Sequence, residues 1–284
     1  MKKIVSLILA LTLCLGAVMS LTSCGVEPAK DWENAQNAGK IVVGMTYFEP
    51  MNYEDGSKVF IGFDTEYARA VGYYLGVDVE FVEIAWGSKY LELEAGTIDC
   101  IWNGFTSNSS DDGIPRSEKV DFTTGYANNY QCVVVNPAKI SLDGFTLESL
   151  NGKSCAVEEG SAGADFAKDL TSADKIYTKD AQIDAFTELK SGAVDFIVVD
   201  VLLADRYCGT GDYASCAKAY EDYENVELYA IGCRKGSNLD EKINEATKYL
   251  MNDGVNGGLS TLEYLSAKYN VPLSDEILAL KDAE

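Results

Sequence analysis

The 284-residue chain contains no histidine. That absence removes Ser-His-Asp and Cys-His nucleophile systems, His-ligated zinc and any imidazole proton shuttle. Positive charge is scarce as well: 23 Lys and Arg stand against 45 Asp and Glu, a formal net charge of −22. So acidic a chain repels phosphate backbones, and nucleic acid is not an expected partner. None of the eight cysteines stands in a CxxC pair, which leaves zinc ribbons and thioredoxin chemistry without support. The ending Gly152-Lys153-Ser154 has Leu147 where a phosphate-binding loop needs its first glycine. The glycines Gly209 and Gly211 follow a helix-like stretch instead of a strand, so they do not read as a dinucleotide site. No cofactor or metal is expected, and catalysis would have to run on carboxylates and lysines alone. What is present is an ordinary globular composition, 47% hydrophobic and 24% charged, enough for one large α/β domain or two lobes.

The first residues are set apart from that body. Lys2 and Lys3 precede an uncharged apolar run from Ile4 to Leu21, long enough to span a bilayer. The basic start, the Leu-rich middle and the small-residue end instead mark residues 1–23 as a secretory signal peptide. Leu21-Thr22-Ser23-Cys24 resembles the lipobox of bacterial lipoproteins. That resemblance implies lipidation of Cys24, a tether over residues 24–32 and a body anchored on the extracytoplasmic face of the cell membrane. Among the remaining cysteines, Cys100 and Cys132 lie in strand-like apolar runs, where buried thiols are expected. Cys208 and Cys216 flank a short loop and are close enough in sequence for a disulfide, which the sequence leaves open.

Beyond the tether, strands and helices alternate. Lys40 to Gly44 is a continuous apolar run of the kind buried in parallel sheets. A helix follows from Asp64 to a glycine stop at Gly76, then an alternating strand at Val77, Val79 and Phe81. A short helix over 88–95 and a strand over 99–102 complete a β-α-β-α-β unit. The pattern restarts with a strand at 153–157, a helix over 162–170, a helix over 180–190 and a strand over 195–200. The apolar run 130–135 carries the chain across. The tail from Asn238 holds only helices, so it is expected to pack back on a lobe already formed. The fold class is therefore α/β with doubly wound sheets in two lobes, the first comprising 33–128 and 232–284 and the second 129–231.

Polar residues gather at the strand ends. Asn103-Gly104-Phe105-Thr106 follows one strand, Glu158-Glu159-Gly160-Ser161-Ala162-Gly163 follows another and opens a helix, and Asp200 follows a third. Ligands bind beyond the carboxyl ends of the strands in open α/β sheets. Free N–H groups at Ser161 and Ala162 suit a carboxylate, and Asp200 offers the opposite charge, so with an arginine the set holds both ends of a zwitterion.

In order and spacing from about Lys40 to Tyr269 the chain resembles the family 3 extracellular solute-binding proteins, the receptors of polar amino-acid ABC importers. The matching pieces include Lys40 to Gly44, Glu49 to Tyr53, Ile61 to Ala68, Leu93 to Thr106, Val120 to Tyr126, Leu189 to Asp195, Asp200 and Arg234 to Ser237. The resemblance implies a two-lobed periplasmic-binding-protein fold of type II with a two-strand hinge. It also implies an amino-acid ligand, ABC permease partners and a monomer. Arg116 takes the place of the arginine that clamps the ligand α-carboxylate, a role that guanidinium geometry suits. Thr106 matches a hydroxyl touching both ends of the ligand, Gly104 a carbonyl accepting from the ammonium, and Asp200 the carboxylate paired with it. Ser161 and Ala162 match the helix-start donors. Phe48 matches an aromatic wall; Trp86 and Trp102 are further candidates, equally suited to the core.

Two departures stand out. Nine residues, 107–115, separate Thr106 from Arg116 where the family has fewer, and this acidic insertion is expected either to displace Arg116 or to reshape the entrance. Met51 stands where the family commonly has Phe after Pro50, which implies a different pocket floor. Separately, basic-amino-acid binders tend to have an acidic residue after the first strand; Thr46 stands nearest here, and Glu49 leaves a basic ligand open. Two rivals share the fold. A carboxylate-based dehydratase needs an acid–base pair that the sequence does not locate, so no enzyme is expected. An amino-acid sensor domain would need a transmembrane helix and a cytoplasmic module.

Overall fold

The computed structural model describes residues 30–281. The signal-peptide, tether and Cys24 expectations fall largely or wholly outside those residues. Among the described residues no helix is long and apolar enough to cross a membrane.

The chain opens with α1 (Asp31–Ala38), β1 (Lys40–Met45), the short hairpin β2 (Tyr53–Glu54) and β3 (Phe60–Ile61), then α2 (Phe63–Leu75) and β4 (Asp78–Glu83). A single 3-10 turn at Trp86–Ser88 leads into α3 (Lys89–Ala95) and β5 (Cys100–Thr106). The insertion forms its own hairpin, β6 (Ser110–Asp111) with β7 (Ile114–Pro115), before β8 (Val120–Phe122) and β9 (Ala127–Asn129). The second lobe contains β10 (Gln131–Val135), β11 (Cys155–Glu158), α4 (Ala162–Leu170), β12 (Ile176–Lys179), α5 (Gln182–Ser191), β13 (Phe196–Asp200), α6 (Val201–Tyr207) and β14 (Ala217–Glu221). The chain returns through β15 (Glu227–Arg234) and ends with α7 (Leu239–Leu250), α8 (Thr261–Tyr269) and α9 (Asp275–Leu278).

Two sheets result. The first runs β4-β1-β5-β15-β8, with β9 also paired to β15, and the second runs β12-β11-β13-β10-β14. In each, three parallel strands carry an antiparallel neighbour, the pattern of a doubly wound sheet completed by a strand from elsewhere in the chain. The two connections lie side by side: β9 pairs with the start of β15, Asn129 opposite Glu227 and Ala127 opposite Tyr229. The return crossing therefore falls at residues 222–226. Sequence reading set the boundary after 231, but Leu228 to Ile231 belong to a strand paired with β5 and β9, and their burial in the first sheet keeps them there.

Helix ends follow local rules. Gly39, Gly76, Gly96 and Gly192 adopt the left-handed conformation that stops α1, α2, α3 and α5. Ser260 and Glu263 form a capping box on α8. The helical tail packs on the first lobe, with α7 and α8 against α2 and α7 against β15. It is fastened there by the Ser274 hydroxyl, which donates to the Gly125 carbonyl at 2.5 Å. Cys208 and Cys216 are free thiols, and Cys100 and Cys132 are buried.

Candidate functional site

The three polar stretches read from the sequence do meet, at the seam between the lobes. Asn103 to Thr106 do not follow the strand, as expected from sequence, but lie inside β5. Gly104 makes this possible. At φ +57° it bends the strand without ending it, and a Cβ there would lie 2.8 Å from the Phe48 ring and 2.9 Å from the Tyr229 ring. Phe48 thus packs against β5, edge-to-face with Tyr229 at 6.5 Å between centroids. The Gly104 N–H donates to the buried Asp64 carboxylate at 2.9 Å. Burial pushes the Asp64 carboxyl up to about 7 against the pull of Tyr126 and Gly104. Asn103 turns the other way, accepting from the Thr46 N–H at 3.1 Å and the Thr46 hydroxyl at 2.6 Å.

From the second lobe, β11 ends at Glu158 and Ser161 caps α4. The Ser161 hydroxyl accepts from the Ala164 N–H at 3.0 Å, so α4 begins at Ala162 as the sequence indicated. The Gly160 carbonyl beside this cap receives two buried cations from the first lobe: Lys89 Nζ at 2.9 Å and Arg116 Nη2 at 3.2 Å. The Trp86 N–H reaches the Asp180 carbonyl at 3.3 Å, also across the seam. Lys89 lies over the Trp86, Tyr90 and Phe105 rings, and its burial lowers the ammonium to about 8. Trp102 is a core residue, edge-on to Tyr67 at 4.9 Å.

Each nitrogen of the Arg116 guanidinium donates to a protein acceptor. Its Nε donates to Asp111 at 2.9 Å, Nη1 to the Thr106 carbonyl at 3.1 Å and Nη2 to Gly160. The inserted hairpin folds back to place Asp111 on the guanidinium, and Arg116 stays at the seam. Burial raises Asp111, but Arg116, the Tyr90 hydroxyl and Lys89 outweigh it and bring the carboxyl down to about 2. At the hairpin tip Asp112 pairs with Lys168 of α4 at 3.0 Å.

Asp200 accepts from Gln182 at 2.5 Å, Gln131 at 2.6 Å and Asn129 at 2.7 Å. Asn129 and Gln131 also donate to Glu227, at 2.6 and 2.9 Å, and the Thr106 hydroxyl reaches Glu227 at 3.3 Å. Two side-chain amides thus hold two buried carboxyls face to face. Burial and then the Asp200 charge push Glu227 up to about 7; burial raises Asp200 also, against those same amides. A groove of about 720 Å³ opens beside this pair, reaching Thr106, Gln131, Ala162 and Glu227.

Sequence reading did not single out Glu227, Asn129, Gln131, Lys89 or Asp111 as site residues. Glu227 joins the site only because the chain crosses twice and β9 and β15 pair there, and no local pattern encodes that. Lys89 has a local signal, standing three residues after Trp86 at the start of a helix. Glu49, open as a ligand contact from sequence, is held by Arg206 at 2.7 Å and by the Tyr207 hydroxyl at 3.3 Å.

Residues 41–264 match the family model of bacterial extracellular solute-binding proteins, family 3. Among curated relatives, the arginine-binding extracellular protein ArtP of Bacillus subtilis (strain 168) is 26% identical over 252 residues, 87% of this chain and 93% of that protein. A substrate-binding protein of an ABC uptake transporter from Streptococcus pneumoniae, solved with bound histidine, is similar in structure. It has a TM-score of 0.72 and 28% identity, over 84% of this chain and 96% of that one. An ancestral arginine-binding protein bound to arginine gives a TM-score of 0.71 and 32% identity, over 81% of this chain and 98% of that one.

Proposed function

Because the chain belongs to the family 3 bacterial extracellular solute-binding proteins, we propose that it is the extracytoplasmic receptor of an amino-acid ABC importer, binding one amino acid between its lobes and delivering it to the permease. The observation that carries this reading is the joint placement of Arg116 from one lobe and Asp200 from the other, linked through Thr106, Glu227 and the two amides. The ligand ammonium faces Asp200, Glu227 and the Gly104 carbonyl. The α-carboxylate faces Arg116 and the Ser161–Ala162 helix start. A guanidinium has five N–H groups, of which three are committed here, so Arg116 retains two for a ligand. Phe48 and Trp86 wall the side-chain end, and Asn103 shapes it through Thr46.

In the same reading residues 1–23 are a signal peptide, Cys24 carries the lipid that holds the receptor at the membrane, and the receptor is a monomer. It is a carrier, so the dehydratase alternative predicts a product that this receptor does not make. The test is thermal unfolding of the purified chain with each of the twenty amino acids and cystine, with mass spectrometry of the recovered compound. One or a few should raise the melting temperature, because a ligand bound only to the folded state stabilises it, and should come back unchanged. No shift with any of them would sink the receptor reading, and a converted ligand would favour the enzyme.

A further inference from the structure

We infer that Glu158 reads the ligand side chain and selects amino acids whose side chain is cationic; this deepens the receptor role proposed above and rests on it. Glu158 ends β11 on the second lobe, is buried to 3% exposure, and brings Oε1 within 3.5 Å of the Thr46 hydroxyl on the first lobe. Thr46 is the residue after β1, so the cross-seam geometry brings a carboxylate of the second lobe to the end of that strand.

The Thr46 hydroxyl does not satisfy this carboxylate. It has one proton, already donated to Asn103 Oδ1 at 2.6 Å. Nor does a cation form an ion pair with it: Lys89 points its ammonium at the Trp86 and Gly160 carbonyls, and Arg116 donates to Asp111, Thr106 and Gly160. Among the described residues no ion pair includes Glu158. A buried carboxylate without a cation is a costly arrangement, relieved when a ligand brings one. The charge balance of the seam points the same way. With all four carboxyls ionised, Glu158, Asp200, Glu227 and Asp111 outnumber Arg116, Lys89 and Lys119, and a zwitterion adds one charge of each sign without correcting the excess. A cationic side chain corrects it. Glu49, the other carboxylate near β1, is occupied by Arg206.

The titration of Glu158 fits this role. Burial, then the Asp200 charge, push its carboxyl up to about 8, while Lys89 and the Gln182 donors pull it down. Docking a cation there favours the carboxylate and releases a proton.

Isothermal titration calorimetry on the full chain with two matched pairs tests this: arginine against citrulline, and lysine against Nε-acetyl-lysine. Each pair keeps the α-groups and removes the side-chain charge. The charged member of at least one pair should bind about 30-fold or more tightly than its neutral partner, and Glu158→Gln should shrink that ratio to a few-fold. Should the Gln variant fail to fold, Glu158→Leu carries the same criterion, and the wild-type ratio stands without either variant. If a neutral amino acid binds while neither pair favours its charged member, the selectivity inference falls and the receptor role survives. A preference that persists in Glu158→Gln also overturns it, placing the cation elsewhere. If no amino acid binds at all, the receptor reading itself has failed.

Discussion

Arg116 and Asp111 form an ion pair 2.9 Å long at the seam of the lobes, with the guanidinium 1% and the carboxylate 13% exposed. The pair joins the residue expected to clamp the ligand to the inserted hairpin that separates it from Thr106. Breaking a buried pair from one side leaves the other charge without its partner, at a cost of about 3–5 kcal/mol when burial is complete. Asp111 is partly open and also shared with Lys119, so Asp111→Ala is expected to cost about 2–3 kcal/mol. Urea unfolding of the ligand-free variant measures this. A loss below about 0.5 kcal/mol would mean that the hairpin does not hold Arg116.

The ligand clamp is tested directly by Asp200→Ala and Arg116→Ala. Truncating one partner of a hydrogen-bonded buried charge pair typically costs about 2–5 kcal/mol, so each variant should weaken amino-acid binding roughly 30-fold to several thousandfold. Arg116→Lys should recover part of the loss, because an ammonium is a point charge that cannot reproduce the planar fork. Melting curves must accompany the calorimetry, since both residues also bond to the protein. Wild-type affinity in Asp200→Ala would remove the ammonium site.

The raised carboxyls set a direction for stability against pH. Asp64 moves from 3.8 to about 7, Glu227 from 4.5 to about 7 and Glu158 from 4.5 to about 8. Between about pH 4.5 and 8 the folded chain therefore binds more protons than the unfolded one, and stability falls as pH rises. Lys89, lowered from 10.5 to about 8, acts in the opposite direction only above that window. The melting temperature of the ligand-free protein should thus be higher at pH 5.5 than at pH 8. A flat or rising profile would show that these carboxyls are ionised in the fold.

The anchor has its own test. In a bacterial host the full chain should partition into detergent with the membrane fraction, and Cys24→Ala should release it or leave it unprocessed. A wild type found entirely in the medium would remove the lipid from this account.

Closure around the ligand is the expected motion of two lobes joined by paired strands. Solution scattering should give a smaller radius of gyration with ligand than without. An identical radius in both states would leave Arg116 and Lys89 on the Gly160 carbonyl as a permanent seam.

The sequence by itself determined the elements and much of the site. The apolar run at β1, the glycine stops after α2 and α5 and the Ser161 cap are local effects. Each depends on residues within a turn or two, so each was legible in order along the chain. Thr106 and Asp200 were legible as candidates because they stand at strand ends, and Arg116 because its place resembles that of the family's arginine. Only the tertiary structure decided what these residues face. Glu227 comes to Asp200 because two crossings place β9 beside β15, and Glu158 comes to Thr46 because the lobes meet. Asp111 finds Arg116 because a hairpin turns back at Asp112 and Gly113, both in the left-handed region. Burial then raised or lowered each of these groups according to its neighbours. Such long-range pairings depend on chain topology and on the loss of water around a charge, and neither is written in the neighbourhood of any single residue.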